Sequence, residues 1–274
     1  MAVPTIGGAQ LWADRRWRDG WRIQQHVLTG HYRLLDPNDR RHVSGELSRC
    51  VERLEDLRLP AAPSDIVVLL HGLGRTRRSL FGLGDALDAA GHVTVRLDYP
   101  STRAAIEDHV SQVLQVLSDL PGASRVGFVT HSLGGILARG ILADGRWPRS
   151  LTPTRVVMLA PPNAGAALAR VLDGVVPSLF GAVMGPSGRA IGQGVPYPAP
   201  RVPFLVVAGS QRGGKGLNPM LDGDDDGVVK VEETKLTGMD EHLVVPALHT
   251  VIMDHPDARA ATVSFLQSPG VRTD

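Results

Sequence analysis

The sequence predicts an α/β fold, in which helices cover both faces of a doubly wound, mostly parallel sheet. Apolar runs such as 66–70 and 156–160 have the continuous hydrophobicity of strands that are buried on both faces. Segments whose apolar residues recur at helical spacing separate these runs, as crossover connections between parallel strands require. The chain of 274 residues is long enough for one large domain of this kind.

Residues 1–64 differ from this pattern, and we expect them to form an extension, a β-hairpin and a helix, that packs on the core. Tryptophans and arginines alternate around Asp19-Gly20, a dipeptide typical of hairpin turns. The segment from Ile23 to Leu34 is then expected to be extended, and apolar residues at helical spacing predict a helix over 45–57. Such a tryptophan- and arginine-rich segment also fits a membrane-surface anchor, but its period favours strands over an amphipathic helix.

The stretch 125–142 carries the clearest chemical signal. A buried strand is predicted over 126–130 and a helix from Leu133 onward, with Ser132 at the turn between them. A serine at such a turn has a strained backbone and lies beside helix N–H groups that stabilise negative charge. Gly134 leaves the space that so sharp a turn needs. Ser132, whose side chain we expect to point into solvent, is therefore the candidate nucleophile.

The segment 131–135, His-Ser-Leu-Gly-Gly, resembles the Gly-x-Ser-x-Gly nucleophile elbow of the α/β-hydrolase superfamily, in the version common among lipases. Thr130 stands where the first glycine usually is. The resemblance covers about residues 65–268 and implies the α/β-hydrolase fold for that domain. It also implies an oxyanion hole formed by the backbone N–H groups of Leu73 and Leu133, of which the first lies in the glycine-rich loop after the first apolar run.

The resemblance also identifies an acid and a base. Lipase-like hydrolases place the acid in an Asp-Gly turn after a late strand, and Asp226, which a glycine follows, matches that turn. The base follows the last strand, as His249 does, whereas His242 precedes that strand and His255 falls at a helix N-cap. The order Ser132, Asp226, His249 is the order of the catalytic triad in the superfamily.

The acidic turn permits a second interpretation. Asp222, Asp224, Asp226 and Glu233 occupy the ligand positions of an EF-hand calcium loop. That loop needs a helix on each side, whereas a glycine-rich segment precedes this one and β-prone residues follow it. We therefore expect a solvated acidic turn with one catalytic member, and no metal or cofactor.

Residues 163–201 interrupt the alternation of strands and helices. An insertion of this length without a strand is uncommon inside a compact domain unless it has a function. The resemblance implies a lid or cap at this point, after the strand that follows the elbow. We expect its apolar side chains to line the substrate site, with Leu172, Val176, Leu179 and Phe180 among the candidates.

Composition and charge restrict the partners and the location. A formal net charge of +1 gives no reason to expect nucleic acid as a partner. No apolar run approaches the ~18 residues that a membrane span needs, and the N-terminus lacks the pattern of a secretory signal. The single cysteine, Cys50, fits a reducing compartment. We therefore expect a cytoplasmic protein without stable membrane insertion, and the oligomeric state stays open.

Together these features predict a serine carboxylic-ester hydrolase of the esterase or lipase type, which forms a covalent acyl-enzyme on a small-molecule or lipid ester. An acyltransferase or a thioesterase would use the same residues. A non-catalytic binding protein with this fold is the alternative from a different class. Such a protein usually lacks one member of the triad, and none is missing in this sequence.

Overall fold

An antiparallel sheet forms from the N-terminal residues and precedes a parallel sheet that organises the rest of the chain. The computed structural model describes residues 3–4, 9–175, 177–194, 197–211 and 216–268. In that part of the chain, no helix combines the length and the apolar character needed to cross a membrane.

Five strands and one helix make up the N-terminal part: β1 (Val3–Pro4), β2 (Trp12–Arg18), β3 (Trp21–His26), β4 (Tyr32–Leu35), β5 (Arg40–Gly45) and α1 (Leu47–Asp56). The strands pair in the order β1-β5-β4-β3-β2. The turn between β2 and β3 is the expected one, because Asp19 and Gly20 have φ angles of 47° and 79°, the left-handed conformation of a tight hairpin. Helix α1, which the sequence predicts over 45–57, buries Cys50 and Leu54 against this sheet.

The prediction of one extended segment from Ile23 to Leu34 is wrong in one respect, because the chain reverses between β3 and β4. Gly30 has a φ of 74° and donates its N–H to the carbonyl oxygen of His26 at 2.8 Å. This turn adds a hairpin that the sequence analysis did not contain. Thr-Gly is a weaker hairpin signal than Asp-Gly, so the reversal has little local signature.

Six strands, all paired in parallel, make up the second sheet: β6 (Asp65–Leu70), β7 (Thr94–Leu97), β8 (Arg125–His131), β9 (Thr152–Leu159), β10 (Phe204–Gly209) and β11 (Glu241–Val245). Their order is β11-β10-β9-β8-β6-β7, so the direction of winding reverses after β7. The carboxyl ends of all six strands therefore lie at one edge of the sheet, where ligands bind in folds of this kind.

Helices cover both faces of the parallel sheet: α2 (Phe81–Ala89), α3 (Ile106–Ser118), α4 (Leu133–Ala143) and α8 (Pro256–Gln267). Three further helices, α5 (Ala167–Val175), α6 (Pro177–Gln193) and α7 (Val231–Thr234), lie in the connections that follow β9 and β10. Short 3-10 helices occupy Ala9–Leu11, Arg77–Leu80 and Ile252–Asp254. Helices α3 and α4 bury Val113 and Leu137 on one face, and α2 and α8 bury Leu83 and Phe265 on the other. The doubly wound α/β fold predicted from the sequence is confirmed.

Between 163 and 201 the described residues contribute helices α5 and α6 and no strand. Helix α6 is broken at Gly185, whose φ of 67° favours glycine. A Cβ at this position would lie 1.9 Å from the carbonyl oxygen of Thr102, and the hydroxyl of Ser187 donates to the carbonyl oxygen of Ala104 at 2.9 Å. The insertion is therefore packed on the loop that follows β7, at the carboxyl edge of the sheet.

A buried ionic cluster joins the two sheets beside the end of β7. Arg22 of β3 is fully buried, and its Nη1 lies 3.2 Å from Asp14 Oδ1 and 3.0 Å from Asp98 Oδ2. Arg22 also pairs with Asp39, which Arg77 contacts at 2.6 Å from the side of the parallel sheet. Burial raises the pKa of the Asp14 carboxyl, and the charge of Arg22 opposes that effect.

Replacing Arg22 by methionine is expected to lower the free energy of unfolding by about 3–5 kcal/mol, because it leaves Asp14 buried without its cation. Urea denaturation followed by circular dichroism measures this change. Arg41, exposed on β5, provides the control, and Arg41→Met should change the free energy by less than about 0.5 kcal/mol. Equal, small effects of the two substitutions would contradict the assigned role of the cluster.

Candidate active site

The turn between β8 and α4 holds Ser132 in a strained conformation. Its φ and ψ angles are 52° and −120°, and its N–H donates to the carbonyl oxygen of Leu159 at 2.8 Å. Gly134 is required at this turn, because a Cβ there would lie 2.3 Å from the carbonyl oxygen of Leu70. Thr130 fits at the position of the first glycine, and its hydroxyl donates to the carbonyl oxygen of Val157 at 3.1 Å.

The side chain of Ser132 does not point into open solvent, as the sequence analysis expected. Ser132 is only 8% exposed and lines a partly enclosed cavity. The expectation is wrong because side chains of the insertion help to form the same cavity, which no local pattern in 125–142 reveals. The serine hydroxyl therefore lies in a partly dry environment, where electrostatic interactions are stronger than in water.

The structure brings the three residues predicted as a triad together. His249 Nε2 lies 3.0 Å from Ser132 Oγ, and His249 Nδ1 lies 2.7 Å from Asp226 Oδ2. The other carboxylate oxygen, Oδ1, accepts hydrogen bonds from the N–H groups of Val228 at 3.0 Å and Val229 at 2.8 Å. A carboxylate held in this way accepts the Nδ1–H of the imidazole and leaves the Nε2 lone pair facing the serine hydroxyl.

The two competing histidines lie away from Ser132. His242 Nε2 is 3.1 Å from the hydroxyl of Thr234, and His255 Nδ1 accepts the N–H of Asp257 at the start of α8, at 3.3 Å. Both side chains therefore have local partners in the loops beside β11. Of the three candidates for the base, His249 is the one that contacts the elbow serine.

His131 is a site residue to which the sequence analysis gave no role. Its Nε2–H donates to the carbonyl oxygen of His249 at 2.9 Å, and the two rings lie 4.9 Å apart. Burial, together with the nearby His249, lowers the pKa of His131 well below its ordinary value, so this imidazole stays neutral. No sequence pattern identifies the contact, because it joins residues that are 118 positions apart.

The acidic turn is more buried than the expected solvated turn. Asp225 and Asp226 are 0% and 1% exposed. Asp225 Oδ1 accepts the N–H of Gly227 at 2.7 Å, Asp224 Oδ2 accepts the hydroxyl of Ser210 at 2.8 Å, and Glu233 Oε2 accepts the N–H of Lys230 at 3.0 Å. These carboxylates therefore bind donors in separate parts of the chain. Within the described ranges, no three His, Cys, Asp or Glu side chains are placed to hold a metal ion.

The glycine-rich loop after β6 lies against the elbow. A Cβ at Gly72 would lie 2.7 Å from His131 Nδ1 and 3.2 Å from Ser132 Cβ, so only glycine allows this approach. In the described part of the chain, the backbone N–H groups of Leu73 and Leu133 have no hydrogen-bond acceptor. Two unused donors beside a serine hydroxyl are what an oxyanion requires.

Two side chains, those of Ser101 and Gln10, hold this loop by hydrogen bonds. Ser101 Oγ accepts the N–H of Gly74 at 2.9 Å and donates to Gln10 Oε1 at 3.1 Å. Gln10 Nε2 donates to the carbonyl oxygen of Arg75 at 2.6 Å. Gln10 belongs to the N-terminal part of the chain, so residues far apart in sequence hold the loop. No motif in the sequence identifies either residue as a partner of this loop.

A cavity of about 240 Å³ opens beside Ser132 and His249. The insertion supplies much of its wall: α5 contributes Leu168, Ala169 and Leu172, and α6 contributes Met184, Gly188 and Ile191. Leu172, one of four residues predicted for this role, is therefore at the cavity. Val176 lies outside the described residues, and only the backbone is described for Leu179 and Phe180.

Comparison with known proteins places this fold in a family. A sequence model of the alpha/beta hydrolase family matches residues 67–262. No curated protein matches the chain in sequence. Among solved structures, the mature form of lipase BlEst2 from Bacillus licheniformis is similar, with 17% identity, a TM-score of 0.54 and coverage of 76% of this chain and 93% of that one.

Two further structures show the same likeness. Phospholipase PlaB from Legionella pneumophila has 19% identity and a TM-score of 0.55, over 76% of this chain and 60% of its own. The product of the gene lin2722 from Listeria innocua has 15% identity and a TM-score of 0.54, over 78% of this chain and 96% of its own. At such identities the likeness concerns the fold alone.

The match over 67–262 begins within β6 and ends within α8. It includes the elbow, the glycine-rich loop, and the turns that carry Asp226 and His249. The resemblance first suggested by the elbow is thus confirmed for most of the chain. This chain belongs to the α/β hydrolase family.

Proposed function

We propose that the protein is a serine hydrolase of carboxylic esters, of the esterase or lipase type. The observation that carries this proposal is the continuous path from Ser132 Oγ through His249 to Asp226, with contacts of 3.0 Å and 2.7 Å, beside a mainly apolar cavity. A strained elbow that presents a serine to an imidazole is the arrangement that activates a hydroxyl as a nucleophile.

In the proposed reaction, His249 Nε2 takes the hydroxyl proton as Ser132 Oγ attacks the ester carbonyl carbon. Asp226 accepts the Nδ1–H throughout and stabilises the imidazolium that forms. The N–H groups of Leu73 and Leu133 hold the oxyanion, and each would contribute about 3 kcal/mol to the transition state. His249 then gives its proton to the leaving alcohol. A water molecule that His249 deprotonates attacks the acyl-enzyme, and His249 returns this proton to Ser132 Oγ as the acid leaves.

We further propose that residues 163–201 act as a lid that binds the acyl chain. Its support is the apolar wall that α5 and α6 provide, with Leu172 facing the same cavity as Ser132. The cytoplasmic location expected from the sequence stays a prediction.

Activity is expected to depend on acyl length, because a cavity of about 240 Å³ is smaller than the ~300–1,000 Å³ typical of ligand pockets. Each covered methylene contributes about 0.8 kcal/mol until the wall ends. We expect kcat/KM for p-nitrophenyl esters to rise from acetate to butyrate or octanoate and to level or fall by palmitate. A maximum at palmitate, with a rate jump above the solubility limit, would contradict the esterase preference and indicate an interfacial lipase.

A fluorophosphonate probe tests the proposed function itself. It should label Ser132 in the wild-type protein, as read by peptide mass spectrometry, and labelling should stop ester hydrolysis. Acyl thioesters and added alcohols, tested beside the p-nitrophenyl esters, separate hydrolysis of oxygen esters from thioester cleavage and acyl transfer. Absence of labelling and of turnover on all these substrates would favour a non-catalytic binding protein with this fold.

A further inference from the structure

Arg75 gives the cavity a charge that the proposed reaction does not use. Among the described residues that line the cavity, Arg75 is the one with a permanently charged side chain. Most of the other lining residues are apolar. Arg75 is half-buried and directly follows the glycine-rich loop, where Gln10 holds its carbonyl oxygen at 2.6 Å. A cation therefore lies in the same cavity as Ser132 and His249.

The guanidinium of Arg75 has no carboxylate partner in the part of the chain that the structure describes. Its two neighbouring arginines differ in this respect. Arg77 Nη2 lies 2.6 Å from Asp39 Oδ1, and Arg78 Nη2 lies 2.9 Å from Asp39 Oδ2. Of the three arginines in this short segment, two pair with the N-terminal part of the chain, whereas the third is left at the cavity.

The charge of Arg75 affects two buried histidines near the cavity, His131 and His71. Burial is the main cause of the low pKa values of His131 and His71, and the positive charge of Arg75 lowers both pKa values further. A half-buried cation beside an apolar wall is costly unless an anion accompanies it. The planar fork of a guanidinium fits the two oxygens of a carboxylate or a phosphate.

We propose that the natural substrate is an anionic ester, whose carboxylate or phosphate pairs with Arg75 while its uncharged chain lies against the wall formed by α5 and α6. This inference rests on the proposed ester hydrolysis and names its substrate class. Because Arg75 lies two positions after Leu73 and lines the same cavity as Ser132, the anion and the reacting carbonyl would share that cavity. Arg75 is thus a residue that determines specificity, and the proton transfers proceed without it.

Two matched pairs of esters test the proposal and separate the two sources of negative charge. Mono(p-nitrophenyl) glutarate and p-nitrophenyl pentanoate differ by a carboxylate on the acyl part. Octanoyl lysophosphatidic acid and monooctanoylglycerol differ by a phosphate on the alcohol part. For each pair, the ratio of kcat/KM for the anionic ester to that for the neutral ester is measured in the wild-type protein and in variants.

The wild-type protein should prefer the anionic member of one pair. In Arg75→Gln that ratio should fall about tenfold to a hundredfold, as loss of a hydrogen-bonded charge pair predicts, mainly through KM. Arg75→Lys should retain part of the preference, and Arg75→Met replaces the glutamine variant if that variant does not fold. Arg149→Gln, an exposed arginine in the loop before β9, is the control and should leave both activity and ratio unchanged.

Two results would overturn the inference while leaving the proposed function intact: hydrolysis of the neutral esters without preference for either anionic ester, or an anionic preference that survives Arg75→Gln. Failure of the proposed function has a different signature. In that case fluorophosphonate does not label Ser132, and the wild-type protein hydrolyses neither the neutral nor the anionic esters.

Discussion

Replacing Ser132 by alanine is expected to lower kcat for p-nitrophenyl butyrate by about 10⁶-fold, the loss seen when a serine protease loses its nucleophile. The substitution removes the attacking oxygen and leaves the neighbouring donors in place. The fold should persist, because the backbone strain at a φ of 52° is the same for alanine as for serine, and the lost hydroxyl contacts His249 alone among the described residues. The melting temperature should therefore change little.

Ser111, whose hydroxyl bonds the carbonyl oxygen of Glu107 on the surface of α3, offers a matched control. Ser111→Ala should keep wild-type kcat and fluorophosphonate labelling. Residual activity of Ser132→Ala above about one thousandth of wild type, with the probe attached to another residue, would show that the nucleophile lies elsewhere.

Replacing Asp226 by asparagine is expected to lower kcat by about 10⁴-fold, because it inverts the tautomer of His249. The amide oxygen can take the place of Oδ1 and accept the N–H groups of Val228 and Val229. The amide NH₂ then faces His249 Nδ1, which must become an acceptor. The proton of the imidazole moves to Nε2, and the ring can no longer accept the hydroxyl proton of Ser132.

Asp224→Asn is the matched control for this prediction. Asp224 accepts the hydroxyl of Ser210 and has no contact with His249, so its variant should keep kcat within a few-fold of wild type. The kinetics are compared at saturating ester, with circular dichroism as the check on folding. Equal losses from both variants, together with wild-type activity that EDTA lowers and added calcium restores, would favour the EF-hand interpretation over the triad.

The parts of the fold that could be predicted from the sequence are those that depend on local spacing. The strand and helix on either side of Ser132 follow from short-range periodicity, and the turn at Asp19-Gly20 follows from the conformations that these residues adopt. The prediction that His249 and Asp226 approach the elbow rests on the resemblance to the superfamily and on one physical fact. They follow neighbouring parallel strands, β10 and β11, whose ends lie at the same edge of the sheet.

The parts that could not be predicted depend on contacts between distant segments. The cavity beside Ser132 is lined in part by helices that begin more than 30 residues further along the chain. Asp225 is a different case, because the N–H groups that its carboxylate accepts belong to Gly227 and Asn218, two and seven positions away. The sequence suggests a solvated carboxylate there, and its burial follows only once the segment around Asn218 folds against the turn.

The support of the loop after β6 by Gln10 has a consequence for protein engineering. Gln10 lies outside the segment 67–262 that the family shares, and its amide meets Arg75 across 65 positions of sequence. The N-terminal part of the chain is therefore not an interchangeable module. A chimera that takes this region from another hydrolase also replaces Gln10, one of the side chains that hold the loop containing Leu73. Under the proposed function, directed evolution of the segment around Gln10 for expression or thermal tolerance would also select, unintentionally, on the rate of the chemical step.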